Sequence, residues 1–335
     1  MASSTPKILI LDTLRGICAF IVALYHFLHF ENQHGALVEP GNKVLSAVDP
    51  FIHGSICIFF IISSYVMYLH LERNDYSLKL FLPFLGKRIV RLMIPMLACV
   101  ALILAINASF QWYLGEPIAF SFPQLLANIT LTANLVGEDW YNPIFWTLSV
   151  EFQFYILLGL GFLLIRKNPF IALLLLVGFC IGINYFYDTR GSITEFGSYF
   201  IIGIALALFH AKQFSATQLL LIIALGSIDF FLNQALFYYV IPLVSIPIIL
   251  FVNFQSKFLQ FLGETSYSFY LIHGLLGNWF LYFTLRYMDQ TWQKILLLIG
   301  AFIVAYLGSH IFYLLIEKPS LKVVKQIHYK RNKLN

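Results

Sequence analysis

The chain has 335 residues, 60% of them hydrophobic and 11% charged, with a mean hydropathy of +0.80 and a formal net charge of +5. Soluble domains are about 45–50% apolar and about 25% charged, so this composition excludes a soluble cytosolic enzyme; it also excludes intrinsic disorder, which needs low hydrophobicity and high charge. Its 20 Gly and 12 Pro are ordinary counts that rule out a collagen-like or linker protein, and the bilayer is the expected solvent.

A helix needs about 20 apolar residues to cross about 30 Å of hydrocarbon. Cut at charged, Pro and Gly clusters, the apolar runs give ten candidate transmembrane helices: 8–30, 51–71, 88–108, 143–165, 169–186, 192–210, 217–231, 235–254, 266–286 and 292–316. The seventh is short and interrupted by Gly226 and Asp229. The longest connector, 109–142, is aromatic and acidic and has room for a short interfacial helix near 122–132. The expected fold is therefore an all-α polytopic membrane protein with one domain and a basic tail over 321–335. Only Lys7 precedes the first apolar run and no small-residue cleavage site follows it, so that segment is expected to stay in the mature protein. Cys18, Cys57, Cys99 and Cys180 lie within apolar runs without metal-ligand or redox spacing and read as packing residues.

Orientation follows from the 21 Lys and Arg. With the N-terminus in the cytoplasm, 16 fall in cytoplasmic connectors and the tail, four (Lys43, Arg190, Arg286 and Lys294) fall outside, and Arg15 lies within the membrane. The positive-inside rule thus places both termini in the cytoplasm. The positive charge is largely topological, and the Lys-rich tail reads as a contact for anionic membrane lipids rather than nucleic acid.

Ionisable groups at membrane depth cost about 2.5–3.5 kcal/mol each on insertion scales and are functional candidates by default. The first helix carries three, Asp12, Arg15 and His26, which at 100° per residue share one stripe of an otherwise apolar helix. Arg15 and His26 stand about 16 Å apart along the axis, the arginine toward the cytoplasm. Two readings fit: a substrate-binding stripe, or a structural Asp12–Arg15 pair beside a satisfied core histidine. Glu151 in the fourth helix, with Trp146 before it and Tyr155 one turn on, is level with His26. It serves either as a packing hydrogen-bond partner or as a group that orients or deprotonates a substrate. Arg88 and Arg91, with Lys87, open the third helix at its cytoplasmic end. They are either positive-inside anchors or, with Arg15, a cationic mouth for a phosphate-bearing donor, since arginine binds phosphate in a bidentate manner.

The order of these residues resembles the integral membrane acyltransferase 3 family of sugar and peptidoglycan O-acetyltransferases. LDTLRGICAFIVALYHF, with Asp12, Arg15 and His26, is similar to that family's opening signature, and IFFIISSYVM, with Ser63, resembles its second-helix segment. KRIVRLMIP (Arg88, Arg91), PIFWTLSVEFQFY (Trp146, Glu151, Tyr155), LGETSYSFYLIH (Tyr267, His273) and IEKP (Glu317) follow in the family's order, covering about residues 8–320. The chain departs from the pattern at Phe152, where a second Glu is usual, at Ser64, where Gly is usual, and at Cys57, a position often acidic. The resemblance implies a stand-alone transmembrane acyltransferase domain without a fused extracytoplasmic hydrolase-like domain, in the bacterial inner membrane. It implies cytoplasmic acyl-CoA, usually acetyl-CoA, as the donor substrate and a hydroxyl of an exported or lipid-linked carbohydrate as acceptor, with no resident cofactor or metal. In that frame His26, as general base or transient acyl carrier, Glu151 and Asp12 are the candidate catalytic residues and Arg15, Arg88 and Arg91 bind the donor. Trp146, Tyr155, Ser63, Tyr267 and His273 line the substrate. The competing class is a proton-coupled transporter or flippase, which also uses intramembrane His, Glu and Arg. No repeat relates the two halves, however, and no Gly/Pro-broken helices occupy matching positions.

Overall fold

The computed structural model describes residues 9–29, 43–187, 189–233, 236–252, 256–288 and 290–327, and all regular structure among them is helical. In chain order the helices are α1 (Leu9–Leu28), α2 (Lys43–Arg73), α3 (Phe81–Leu114), α4 (Phe122–Ile129), α5 (Ala133–Val136), α6 (Phe145–Lys167), α7 (Pro169–Phe186), α8 (Gly197–His210), α9 (Ala216–Asn233), α10 (Leu236–Phe251), α11 (Lys257–Thr284), α12 (Thr291–Phe312) and α13 (Lys318–Gln326). Each of the ten expected segments falls on a helix; their ends at Ile8, Phe30, Ala235 and Phe254, Lys7, and the tail beyond 327 lie outside the described residues. Among those residues, six helices are long and apolar enough to cross a membrane, which makes the chain an all-α polytopic membrane protein. Of the other four, α8, α9 and α10 are shorter apolar helices, and α11 carries a polar run through Glu264, Thr265, Ser266 and Ser268, then His273 and Asn278.

Three helices begin earlier than the sequence pattern suggests: α11 starts at Lys257 rather than at 266, and α2 and α3 extend back through a proline. The pattern opens the second helix at 51, directly after Pro50, and the third at 88, after Gly86 and Lys87, yet α2 starts at Lys43 and runs through Pro50. Helix α3 starts at Phe81, so Pro83 lies in the first turn, where its missing N–H has no intrahelical acceptor to lose. Arg88 therefore sits about two turns inside α3 instead of opening it. The expected interfacial helix near 122–132 is α4, capped by Ser121, whose hydroxyl accepts from the Gln124 amide at 3.2 Å.

The chain divides into two compact units, residues 1–66 with 198–310 and residues 67–197 with 311–335. In the first, α1 runs parallel to α11. Asp12 and Gly16 meet Leu262 and Gly263, Phe20 stacks on Phe269 at 4.8 Å, and Phe27 lies against Gly277. A Cβ at Gly263 would overlap the Asp12 backbone carbonyl, and one at Gly277 would enter the Phe27 ring. Lipid tails are as apolar as leucine, so helices in a bilayer associate by close packing, and small residues permit the closest approach. Ala19, Ala23, Phe27 and Phe269 continue this seam into a buried cluster with Leu297, Ala301 and Ala305 of α12. On the other side of the unit, Gly203 of α8 fits against the Ile61 carbonyl and the Ser64 hydroxyl of α2, beside a Phe60–Phe200 stack at 4.8 Å.

In the second unit α3 packs on α6, with the Phe81 and Phe84 rings against Gly159 and the Tyr76 hydroxyl donating to the Gly159 carbonyl at 2.8 Å. A π-helical turn, Tyr313–Glu317, leads into α13, and both lie on α3. The connector after α3 is held by buried Asn128, whose amide donates to the Gln124 and Asp139 carbonyls, each at 2.9 Å, and whose Oδ1 accepts from the Tyr141 amide at 2.9 Å. Burial first, and then the Glu138 carboxylate, raise the Tyr141 phenol above its usual pKa, keeping it an O–H donor.

Gly263→Ala should destabilise the detergent-solubilised protein by about 1–3 kcal/mol, because its Cβ meets backbone that no rotamer change can move. Gly178→Ala in α7, where nothing lies within 4 Å, should leave stability unchanged or raise it by up to about 1 kcal/mol. Thermal unfolding of the two variants side by side checks both.

Candidate functional site

The first unit carries Asp12, Arg15, His26, Ser63, Tyr267 and His273. The α1–α11 seam brings two of them together: the His26 and His273 rings lie 5.3 Å apart between centroids, tilted by 43°. His26 is half-buried near the end of α1, with its ring 5.6 Å from Tyr25, which itself stacks on His29 at 5.1 Å. His273 is 1% exposed and walled by Phe27, Phe269 and Tyr270. Its Nδ1 lies 3.1 Å from the Phe269 carbonyl and 2.8 Å from the Tyr270 carbonyl. Carbonyl oxygens only accept, so Nδ1 carries the proton and Nε2 is left as an acceptor. Among the described residues Nε2 has no hydrogen-bond partner.

The other members of the stripe stand apart from this pair. Asp12 faces Gly263 at the opposite end of the seam, about 21 Å from His26 along α1. Both Asp12 and Arg15 are half-buried. Ser63 is buried on α2, and Tyr267, half-buried, precedes His273 by about 9 Å of helix.

The second unit carries Arg88, Arg91, Trp146, Glu151 and Tyr155. Arg88 is 6% exposed, its guanidinium 5.7 Å from the Phe84 ring centre and 5.8 Å from that of Tyr155. Stacked cations of this kind are held by the negative ring face. Tyr155 also donates its hydroxyl to Glu151 Oε1 at 2.5 Å, so one side chain touches a cation with its face and a carboxylate with its edge. The i,i+4 spacing of Glu151 and Tyr155 on α6 permits that bond. Arg91 is half-buried. Trp146 lies 5.3 Å from Phe196, at the end of the 189–197 loop.

Two polar residues of consequence take no role from the sequence pattern: Gln153, which belongs to the PIFWTLSVEFQFY motif, and Asn278. Gln153 accepts from the Ile193 amide at 3.2 Å and donates to Ser149 at 3.3 Å, tying α6 to the loop beside Trp146. Asn278 of α11 has a buried Oδ1 that no described residue satisfies. An amide in an otherwise apolar stretch of helix was the available signal for it.

Tyr155→Phe keeps the ring over Arg88 and loses one charge-assisted hydrogen bond, which should cost about 1.5–3 kcal/mol; Tyr155→Leu loses both and should cost more. Chemical unfolding of the purified variants in one detergent would show the ordering.

Compared with known families, residues 8–314 match an acyltransferase domain. No curated protein and no solved structure matches the chain. Because that one domain covers nearly the whole helical, membrane-traversing chain, the protein belongs to the acyltransferase 3 family and is an integral membrane acyltransferase.

Proposed function

We propose that the enzyme moves an acyl group, acetyl in the simplest case, from cytoplasmic acyl-CoA to a hydroxyl of an exported or lipid-linked carbohydrate, with His26 as the general base. The observation that carries this reading is the His26–His273 pair: a half-buried imidazole held beside a buried one by the tightest helix seam of the first unit. Histidine is suited to the step because its unperturbed pKa lies near neutrality. His26 takes the proton of the acceptor hydroxyl as the oxygen attacks the thioester carbonyl. The tetrahedral intermediate then collapses, the C–S bond breaks, and the imidazolium returns the proton to the leaving thiolate, so that an ester and free CoA result.

Arg15, Arg88 and Arg91 are the proposed ligands for the donor's phosphates, a task that suits the guanidinium fork. Asp12 orients Arg15. Glu151 is the proposed positioning carboxylate of α6, held by Tyr155, while Trp146, Tyr155, Ser63 and Tyr267 supply acceptor contacts. The enzyme is proposed to work in a bacterial inner membrane with ten crossings and both termini cytoplasmic, the basic tail on anionic lipid.

CoA release from acetyl-CoA by membranes containing the full chain, with crude cell-surface glycan as acceptor, tests the reading. His26→Ala should insert at the wild-type level and release CoA about 10²–10⁴-fold more slowly, the usual contribution of a positioned base. Arg15→Ala should act mainly on the KM for acetyl-CoA. A well-expressed His26→Ala protein with wild-type release would overturn the assignment.

A further inference from the structure

We propose that His273 is a positioning residue that sets the tautomer of His26. This inference rests on His26 being the base. His273 Nδ1–H is committed to two carbonyls of its own helix, 3.1 and 2.8 Å away, and cannot turn without breaking both bonds. Its Nε2 is thereby fixed as a lone-pair acceptor inside an aromatic wall, where leaving an acceptor unpaired costs free energy. His26 is the ring that stands beside it. A ring nitrogen lies about 1 Å from its centroid, so the 5.3 Å separation brings facing nitrogens to about 3 Å, the length of an N–H···N hydrogen bond, on rotation of the half-buried His26 ring.

The consequence is chemical. A neutral imidazole has one N–H and one lone pair. With its N–H directed at His273 Nε2, His26 presents the lone pair of its other nitrogen to the acceptor hydroxyl. When it takes the proton it becomes an imidazolium with two N–H groups, one on the substrate side and one still donated to His273. No further proton moves, and the positive charge is shared across a neutral hydrogen bond. A carboxylate commonly holds a catalytic histidine in this way; here a second imidazole, locked by the helix backbone, supplies the acceptor without adding a buried charge.

The two amide side chains separate this role from simple packing. Asparagine reproduces the Nδ1 position and its bonds to the helix carbonyls but offers nothing at Nε2, whereas glutamine reaches the Nε2 position with an acceptor. His273→Asn and His273→Phe should each lower kcat for CoA release by about 10–100-fold, the loss seen when the hydrogen-bond partner that orients a metal-bound histidine is removed, with KM for acetyl-CoA unchanged. His273→Gln should recover most of that loss. Wild-type kcat in His273→Asn, a change confined to KM, or a Gln variant no better than Asn would overturn the proposal. His26→Ala, measured alongside, keeps the two questions apart: if it is active, the base assignment fails, and if it is inactive while His273→Asn is active, only the tautomer role fails. Nitrogen-15 histidine NMR of the wild-type protein gives an answer independent of variant folding, since a proton found on His273 Nε2 would equally overturn it.

Discussion

Close approach of two helix backbones in a medium with no hydrophobic drive between them is the constraint on which the first unit rests. Helix α1 can lie on α11 because Gly16 and Gly263 leave no Cβ between them and because Gly277 receives the Phe27 ring. This contact sets the rotation and the register of α1, and both matter for chemistry. The register that puts Asp12 opposite Gly263 also brings His26 beside His273 toward the far end of the same seam. The buried cluster with α12 supports the arrangement from behind.

Hydroxyl groups in these helices follow a common pattern, and the exceptions to it are informative. Ser55, Ser64, Thr265, Ser266, Thr284 and Ser309 each donate to a carbonyl three or four residues earlier on their own helix. Such back-bonding satisfies a polar group in lipid without a partner from another helix. Imidazole and amide side chains have a second polar atom that this device leaves unsatisfied. His273 Nε2 and Asn278 Oδ1 are in that position among the described residues, at a cost of about 1–3 kcal/mol each if nothing binds there. Both lie on α11 within five residues of one another, so the helix with the polar run is also one that carries unused hydrogen-bonding capacity into the bundle.

Sequence pattern revealed which residues are costly but not which of them meet. The stripe of Asp12, Arg15 and His26 was legible from helical period, and the placement of Tyr155 one turn after Glu151 from their spacing, though not the hydrogen bond between them. The second, third and ninth helices start earlier than the pattern places them, at Lys43, Phe81 and Lys257, because α2 continues through Pro50, α3 takes Pro83 into its first turn, and α11 is helical through its polar stretch. The approach of His26 and His273 links positions at opposite ends of the chain, and period alone names a face, never the neighbour of that face. One hint was present: the first and ninth segments cross in the same sense when the N-terminus is cytoplasmic, which agrees with the parallel run of α1 and α11. The approach of Arg88 to both Phe84 and Tyr155 was invisible for a related reason, since its Tyr155 contact needs the facing of α3 and α6 that only the fold supplies.

Ser64 stands where the family pattern has glycine, and its surroundings say what the exchange means. The missing volume has been moved across the helix interface: Gly203 gives up the space that the serine side chain fills. The hydroxyl is turned back to the Ile61 carbonyl at 3.0 Å and is fully buried. A steric trade of this kind couples the two positions in one direction: a side chain can appear at 203 only if the serine gives way. It also leaves the Ser64 side chain enclosed between helices, with its hydroxyl already spent on its own backbone.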